Sequence, residues 1–402
     1  MTEIAPDPEF FATNPDDPYP TYAELRERCP VYQDPLSGAY CVSRYDDVVG
    51  IIGDPDRFSS RAHRLGALVA ARRAGVDAGE IRRTAIVHDD GEYHDWLRDL
   101  IALSFTPRAI AEFTPRVDAI AAELLDGVQD GVAFDLYADY AGPLPASVIG
   151  AMYGVPSKDW PEFRGWTRDY LSPDPAIHGP ASAAFSAYFL DLMHQRREAP
   201  GDDMISHLVG AQAEQPERLT DEEVLAVIWQ NILAGNETTA HLIVNMVDHL
   251  IDRPELWARL REDRALVDAT IEETLRVESP VQWMPRRVMT SGTEIDGVEI
   301  PEGATLVPMF GAANRDERRF EDGDTFDPDR RGAARHLAFG RGTHSCVGQA
   351  LARLEAKVTL NRFLDRFASI ERVGEPQRSQ VFLGVRGFTS YPVVARRWPA
   401  AR

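Results

Sequence analysis

The sequence FGRGTHSCVG, residues 339–348, places one cysteine, Cys346, in a loop that contains three glycines. A run of apolar residues at helical spacing, which includes Leu351 and Leu354, follows the loop directly. Because glycine adopts positive φ and carries no side chain, such a loop can fold closely against a flat ligand. A thiolate presented by this loop would be able to bind haem iron. The alternative is a buried structural cysteine, the commoner state of an isolated cysteine among apolar neighbours.

The composition indicates a globular protein that does not bind nucleic acid. The chain has 402 residues, is 44% hydrophobic and carries a formal net charge of −21 at pH 7. So acidic a chain argues against a nucleic-acid partner, because phosphate binding needs clustered positive charge. The three cysteines, Cys29, Cys41 and Cys346, are too few for a disulfide framework and favour a reducing compartment.

The sequence shows neither a secretion signal nor a membrane anchor. Residues 1–11 are acidic and interrupted by proline, without the basic start and apolar centre of a signal peptide. We find no apolar run of membrane-spanning length. We therefore expect a cytoplasmic protein, in which residues 1–14 form a loosely ordered arm.

A long helix is predicted in the second half of the chain. Thr220 and Glu223 have the spacing of a capping box, with threonine at the cap and glutamate three residues later. The apolar pattern that starts there continues to Arg253, which corresponds to about 30 residues or about 45 Å of helix. Such a helix would cross the whole domain.

Polar residues interrupt the middle of this helix, in the sequence LAGNETT at 233–239. Gly235 weakens the helix at this point, and the hydroxyl of Thr238 is able to bond the carbonyl of Ala234, four residues back. Polar groups inside a buried helix are costly unless they are used, which favours a functional site. A satisfied structural cluster is the alternative.

Two other helical segments carry charged residues at helical spacing. His94 and Arg98 are four residues apart, so both lie on one helix face and suit a carboxylate or phosphate, although a surface pair is the commoner explanation. Within 266–277, Glu273 and Arg276 are three residues apart and able to form an ion pair. Most such pairs lie on the surface and contribute less than about 1 kcal/mol.

Arginine is concentrated in two segments of this acidic chain. Residues 60–84 contain six arginines and two acids, and residues 330–354 contain five arginines and no acid. The first segment is interpreted as a solvated, partly helical surface loop unless a ligand uses it.

Short strands are predicted near the start of the chain, between 287 and 307, and again in the C-terminal tail. The segment 166–185 mixes aromatic residues with proline and glycine, a pattern that predicts two helices joined by a flexible connection, as in a lid. There is no internal repeat and no interdomain linker. We therefore predict one domain, residues 1–402, that is mainly α with small β-sheets.

Four motifs, in this order along the chain, resemble those of the cytochrome P-450 family of haem-thiolate monooxygenases, specifically its soluble bacterial members. They are AGNETT at 234–239 (the oxygen-binding groove of the long helix), ETLR at 273–276, FDPDR at 326–330 and the cysteine loop at 339–348. The resemblance extends over nearly the whole chain. It implies a triangular, helix-rich single domain whose long central helix crosses over the haem.

The resemblance also implies a haem site. Cys346 would be the axial thiolate of haem b, a ligand that donates electron density to iron and favours cleavage of the O–O bond. The haem propionates would be held by His94, Arg98, Arg287 and His344. Arg287 is preferred to Arg286 by counting ten residues back from Gly297. Further contacts to the haem are expected from Ala234, Gly235, Phe339, Gly340 and Gly348.

Two further groups of residues acquire roles from the resemblance. Thr238 would stabilise the iron-bound peroxide with its hydroxyl and Glu237 would relay protons during oxygen activation, as the threonine and the neighbouring acid do in the family. A structural network on the cysteine side of the haem would be formed by Glu273, Arg276 and Arg330.

The resemblance implies that O2 and electrons derived from NAD(P)H are co-substrates, with a ferredoxin and a ferredoxin reductase as partners of a monomeric enzyme. The acidic ferredoxin would approach from the thiolate side. We expect its docking surface to include some of the arginines around the cysteine loop, namely Arg331, Arg335, Arg341 and Arg353.

The substrate is expected to be a hydrophobic small organic molecule. Its pocket would be formed by the 60–84 loop, the 166–185 lid and residues Val227, Asn231, Ala234, Val281, Trp283, Met284, Phe382 and Leu383. The arginine-rich loop supports a second hypothesis, that the substrate carries a carboxylate or is presented by an acidic carrier. Two other functions are a peroxide-driven peroxygenase and a non-catalytic haem-binding protein, and the second would leave Glu237 and Thr238 without a role.

Overall fold

The computed structural model describes residues 16–62, 86–170, 174–378 and 384–399, and most of these residues are helical. The α-helices of the described ranges are α1 (Tyr19–Arg28), α2 (Tyr45–Ile52), α3 (Glu92–Ala102), α4 (Pro107–Asp126), α5 (Pro143–Met152), α6 (Trp160–Tyr170), α7 (Pro175–Glu198), α8 (Met204–Glu214), α9 (Asp221–Ile251), α10 (Pro254–Glu262), α11 (Leu266–Val277), α12 (Phe310–Ala313) and α13 (Gln349–Arg366). A π-helix spans Tyr137–Ala141.

The strands form four small sheets. They are β1 (Val31–Gln33), β2 (Tyr40–Val42), β3 (Phe58–Ser59), β4 (Ala133–Asp135), β5 (Arg286–Val288), β6 (Thr293–Ile295), β7 (Val298–Ile300), β8 (Thr305–Pro308), β9 (Phe367–Arg372), β10 (Gln377–Arg378), β11 (Phe388–Ser390) and β12 (Pro392–Arg397). The largest sheet has the order β1-β2-β8-β5-β3, and only its β2–β8 pair is parallel among the described strands. A second sheet has the order β4-β12-β9, and β6–β7 and β10–β11 are hairpin-like pairs.

The long helix predicted from the capping box is α9. The Thr220 hydroxyl accepts a hydrogen bond from the Glu223 amide at 3.3 Å, and the Glu223 carboxylate accepts from the Thr220 amide at 2.7 Å. These two bonds satisfy amides that the first turn of a helix leaves unpaired. The helix continues for 31 residues and ends at Ile251, before Pro254. The predicted start and length are thus confirmed.

The main hydrophobic core surrounds α9. Its buried side chains come from α4, α5, α7, α9, α11 and α13, and they include Val148, Phe185, Ile243, Ile271 and Leu360. A smaller cluster packs under the five-stranded sheet. Helix α6 ends at Tyr170 and α7 begins at Pro175, so the segment 166–185 contains parts of two helices, as its mixed composition predicts. Residues 171–173 of that connection lie outside the described ranges.

The fold is mainly α with small β-sheets, which confirms the predicted class. In the described part of the chain, no helix is both long enough and apolar enough to span a membrane.

Candidate functional site

The cysteine loop is held in shape by its own backbone. Gly340 and Gly342 adopt φ of 64° and 72°, a conformation that favours glycine. A Cβ on Gly342 would lie 3.2 Å from the carbonyl oxygen of Ile52, so glycine also allows α2 to approach. The amide of Cys346 donates to the carbonyl of Phe339 at 2.8 Å and closes the loop.

The thiol of Cys346 is accessible although protein surrounds it. Burial raises its pKa, while the backbone N–H groups of Gly348 and Gln349 and the charges of Arg98 and Arg353 act in the opposite direction. The two N–H groups belong to the first turn of α13, where unpaired amides favour an anion. This environment is suited to a thiolate ligand and differs from that of an inert buried cysteine.

The polar interruption of α9 forms an open patch on a buried helix. Ala234 is exposed and Gly235 is half-buried, whereas the residues that follow, from Thr239 to Val247, are buried. The Thr238 hydroxyl donates to the carbonyl of Ala234 at 2.6 Å, as predicted. Its hydrogen bond therefore stays within the helix, and the neighbouring Ala234 is exposed.

Glu237 lies beside this patch and is half-buried. Its Oε2 accepts a hydrogen bond from the Tyr137 hydroxyl at 2.8 Å and lies 3.6 Å from Nε2 of His241. Burial raises the pKa of Glu237, and the bond from Tyr137 counteracts part of this effect. A carboxyl with a raised pKa is able to gain and lose protons closer to neutral pH than an exposed glutamate.

His94, Arg98 and His344 are brought together. The rings of His94 and His344 have centroids 4.3 Å apart, and Arg98 donates to the carbonyl of Ser345 at 2.6 Å. Nε2 of His94 is buried and has no hydrogen-bond partner among the described residues. Nε2 of His344 lies 2.8 Å from the carboxylate of Asp90.

The structure corrects the choice between the two adjacent arginines of β5. Arg286 is buried and close enough to His344 and Asp90 to influence their charges, whereas Arg287 is exposed on the opposite face of the strand. Successive side chains of a strand point to opposite faces, so only one of the two can face this site. Arg286, not Arg287, therefore faces His344, although counting back from Gly297 favours Arg287.

Arg286 is poorly paired for a buried cation. Its one side-chain hydrogen bond among the described residues goes to the carbonyl of Pro285 at 2.9 Å. Burial lowers its pKa to about 10, against the attraction of Asp90. A buried guanidinium without a carboxylate partner is costly, which indicates that an anion binds here.

These features fit a haem. The unpartnered Nε2 of His94 and the poorly paired Arg286 are suited to carboxylates such as propionates. The accessible Cys346 thiol, with N–H groups directed at its sulfur, is suited to iron. The donor set therefore matches both ends of the group that the sequence predicted.

Glu273 and Arg276 form a buried ion pair, with both side chains fully inaccessible to solvent. Arg276 donates to the two carboxylate oxygens of Glu273 at 2.7 and 2.8 Å, and Arg330 joins at 3.1 Å. Arg276 also donates to backbone carbonyls, those of Asn314, Gly323 and Thr325. The pair thus ties α11 to the segment before the cysteine loop and is not a surface pair.

Arg353 is not free for a partner. It donates to both carboxylate oxygens of Glu272, at 2.6 and 3.1 Å, and its guanidinium lies 4.5 Å from the ring centroid of Phe339. Burial opposes ionisation of Glu272, but hydrogen bonds from His336 and Arg353 outweigh it and lower its pKa to about 2. Arg353 therefore supports the loop from within, whereas Arg341 is exposed.

The predicted substrate-pocket residues have different surroundings. Trp283 is buried and packs in a core cluster with Tyr19 and Met309. The amide of Asn231 donates to the Tyr153 hydroxyl at 2.8 Å. Val227 is buried, and partial exposure is found for Val281 and Met284. Phe382, Leu383 and most of the 60–84 loop lie outside the described residues.

The sequence interpretation missed three residues of the site, Asp90, Tyr137 and His241, and it considered Arg286 only as the alternative to Arg287. His241 follows Glu237 by four residues on α9, so helical spacing contained a signal for it. Tyr137 lies 100 residues before Glu237, and nothing in the sequence indicates that contact.

Comparisons with known proteins identify a family that matches this chain. The family model for Cytochrome P450 matches residues 163–384. The cytochrome P450 monooxygenase PikC of Streptomyces venezuelae is 35% identical over 390 residues, which cover 95% of this chain and 92% of that protein. The structure of cytochrome P450 CYP109Q5 from Chondromyces apiculatus is 36% identical, with a TM-score of 0.84 and 98% of each chain covered.

A second solved structure is CYP109E1 from Bacillus megaterium in complex with testosterone. It is 31% identical, with a TM-score of 0.83, and the match covers 94% of this chain and 99% of that chain. The fold expected from the four motifs is thereby confirmed.

Proposed function

This chain belongs to the cytochrome P450 family of monooxygenases, and we propose from this premise that it activates O2 with electrons from a ferredoxin and oxidises a hydrophobic small organic molecule. The observation that carries the proposal is the pair Glu237 and Thr238, placed beside the open patch at Ala234 on an otherwise buried helix. Neither a peroxygenase nor a non-catalytic haem protein has need of this pair.

We assign the haem-binding residues as follows. Cys346 would bind the haem iron through its thiolate, and the propionates would be held by His94, Arg98, His344 and Arg286, the last in place of Arg287. Ala234 and Gly235 would contact the haem from the α9 side, and Phe339, Gly340 and Gly348 from the cysteine side. When bound, the haem supplies the iron at which dioxygen is reduced and one oxygen atom passes to the substrate.

The protein residues supply protons in this proposal. Glu237 takes up a proton because burial raises its pKa, and it releases the proton toward the patch beside Thr238. The Thr238 hydroxyl donates to Ala234 and so presents its oxygen lone pairs as an acceptor. Glu237 and Thr238 are therefore the catalytic residues.

Replacement of these residues tests the proposal. We expect Thr238→Ala and Glu237→Gln each to lower the yield of product per electron consumed, by about tenfold or more, because Glu237→Gln removes the proton donor and Thr238→Ala removes the hydroxyl that accepts hydrogen bonds beside it. The assay uses NAD(P)H, ferredoxin reductase and ferredoxin, with peroxide alone as a parallel reaction.

A carbon monoxide difference spectrum of the thiolate type is required of the wild type first. Efficient peroxide turnover without the redox partners, unaffected by both replacements, would identify a peroxygenase instead. A protein with the spectrum but without turnover in either assay would be a haem binder.

The substrate class is proposed from the apolar predicted pocket and from the testosterone complex of CYP109E1. A screen of small molecules for a spin-state shift of the haem would identify ligands. The hypothesis of an anionic or carrier-bound substrate depends on the arginines of 60–84, most of which lie outside the described residues. Comparison of an acid ligand with its methyl ester tests it, and equal affinity would exclude it.

We further propose that the enzyme is a cytoplasmic monomer and that its ferredoxin docks near the cysteine loop. Arg331, Arg335 and Arg341 are exposed there, whereas Arg353 is bound to Glu272. These three residues are therefore the candidate docking contacts.

A further inference from the structure

Two other side chains lie at one carboxylate oxygen of Glu237, and one of them forms a hydrogen bond to it. Tyr137 donates to Oε2 at 2.8 Å, and Nε2 of His241 lies 3.6 Å from the same atom. Among the described residues, Oε1 forms no hydrogen bond. One oxygen is therefore anchored, and the other is available to exchange a proton.

Tyr137 occupies a fixed position in the fold. It is the first residue of the π-helix, whose i to i+5 geometry is shown by the bond from the Gly142 amide to the Tyr137 carbonyl at 2.8 Å. The Tyr137 amide donates to the carboxylate of Asp135 at 2.9 Å, and Asp135 also accepts from the amide of Tyr391 at 3.0 Å. Single turns of π-helix occur frequently at functional sites. The hydroxyl thus reaches Glu237 from an anchored backbone.

His241 lies beside the same carboxylate oxygen of Glu237 as Tyr137 does. It is buried, its ring stacks on that of Tyr137 with centroids 5.8 Å apart, and a Cβ on Gly387 would collide with it. Its Nδ1 has no hydrogen-bond partner among the described residues. Burial lowers the pKa of His241 to about 4, and nearby Arg378 acts in the same direction. His241 is therefore neutral at pH 7 and does not neutralise Glu237.

We propose that Tyr137 is a positioning residue for the monooxygenase reaction. Its hydroxyl holds Glu237 at Oε2, so that the carboxyl delivers protons to the patch beside Thr238. The neutral His241 ring lies beside the same oxygen. This inference rests on the proposed function, since it assigns a task to Glu237 within that reaction. It adds two residues that the sequence motifs do not contain.

The contacts predict how the carboxyl responds to loss of the tyrosine hydroxyl. A hydrogen bond donated to a carboxylate favours its charged form. The titratable groups around Glu237 are Tyr137 from the π-helix and His241 from α9, while Asp135 acts on Tyr137 and Arg378 acts on His241. Among the residues that the structure describes, only Tyr137 stabilises the Glu237 carboxylate directly, through its hydrogen bond. Its removal therefore leaves burial to act alone, and the pKa of Glu237 rises further.

The experiment compares Tyr137→Phe with Tyr140→Phe in the haem-loaded, resting protein. Tyr140 lies in the same π-helix, is buried, and donates to the Thr359 hydroxyl at 3.1 Å without contacting Glu237. Infrared difference spectra recorded against pH report the protonated carboxyl band, which Glu237→Gln identifies by removing it. We expect the midpoint to rise by about one pH unit or more in Tyr137→Phe and to stay unchanged in Tyr140→Phe.

Turnover of the same variants completes the test. We expect Tyr137→Phe to lower the yield of product per electron, and Tyr140→Phe to leave it as in the wild type. An unchanged infrared midpoint in Tyr137→Phe would overturn the proposal. So would a shifted midpoint with a yield equal to that of Tyr140→Phe. Failure of the proposed function itself would be recognised separately, because the wild type would then form no product with the ferredoxin system. In that case the proton-delivery role of Glu237 would also be excluded.

Discussion

At the scale of single residues, the two adjacent arginines of β5 have opposite environments. Arg286 is buried beside His344, and Arg287 is exposed near Gly303. A strand of three residues is too short for its alternation to be recognised in the sequence, and a basic residue at either position satisfies the motif. The orientation of the strand is fixed by Val288, which is buried. Arg286 is two residues earlier, so its side chain lies on the same buried face as Val288.

This contrast gives a prediction for haem retention. We expect Arg286→Gln to bind haem at least about tenfold more weakly, because it removes a charged donor to a propionate, a hydrogen bond that contributes about 1.5 to 3 kcal/mol. Arg287→Gln is the matched control and should retain haem as the wild type does. Haem transfer to an acceptor protein, followed by absorbance, measures both. Faster loss from Arg287→Gln than from Arg286→Gln would restore the original assignment.

A second prediction at this scale concerns His241 and pH. Its folded-state pKa is lowered from 6.5 to about 4 by burial and then by Arg378. The unfolded chain therefore binds the extra proton first, and the stability contributed by neutral His241 is present above about pH 6.5 and lost as the pH falls toward 4. Between about pH 7 and pH 5 this loss amounts to about 2 kcal/mol.

Urea unfolding at the two pH values measures this effect. We expect His241→Gln to lose less stability on acidification than the wild type, because glutamine does not titrate. His194 is exposed, so His194→Gln removes no buried imidazole and is the control. Equal acid sensitivity of the wild type and His241→Gln would show that His241 is not the group responsible.

At the scale of helices and strands, α11 depends on its buried ion pair. Glu273 and Arg276 are inaccessible to solvent, and Arg276 makes three further bonds to carbonyls that precede the cysteine loop. Removal of one partner leaves an uncompensated buried charge, which costs about 3 to 5 kcal/mol. The pair therefore couples the stability of α11 to the position of the loop.

We accordingly expect Glu273→Gln to destabilise the protein by about 3 kcal/mol or more and to weaken haem binding with it. Arg353→Gln breaks a half-exposed pair with the neighbouring Glu272 and should cost about 1 kcal/mol. Denaturant unfolding followed at the haem band and by circular dichroism compares the two. Similar losses in both variants would argue against the special role of the buried pair.

The elements show where sequence reasoning succeeds. Helix α9 was predictable because its capping box and long apolar pattern act locally, and Thr238 bonds to Ala234 within one turn. The cysteine loop was predictable because its glycines and Cys346 lie together in the chain. The contact of Tyr137 with Glu237 and that of Arg353 with Glu272 were not predictable. In these two pairs 100 and 81 residues separate the partners, and only the packed fold brings them together.

At the scale of the whole molecule, exposed positive charges surround the cysteine loop although the chain as a whole is acidic. The chain carries −21 overall, yet Arg331, Arg335 and Arg341 are exposed around the cysteine loop. An acidic partner is repelled by most of the surface and attracted to this face, so charge alone orients the encounter. Arg353 lies in the same sequence segment, but its guanidinium is bound to Glu272 and packs on Phe339.

The last prediction follows from this difference between neighbouring arginines. We expect Arg341→Glu to slow reduction by ferredoxin at low ionic strength by about tenfold and to weaken the dependence of the rate on salt, because it reverses an exposed charge at the docking face. Arg108 is exposed on α4 and pairs only with Glu112 among the described residues, so Arg108→Glu is the control for the change in net charge. Stopped-flow reduction of both variants across a range of salt concentrations separates a local contact from a general charge effect. Equal slowing of both would mean that net charge, not docking at the loop, controls the rate, and no effect in either would remove Arg341 from the docking surface.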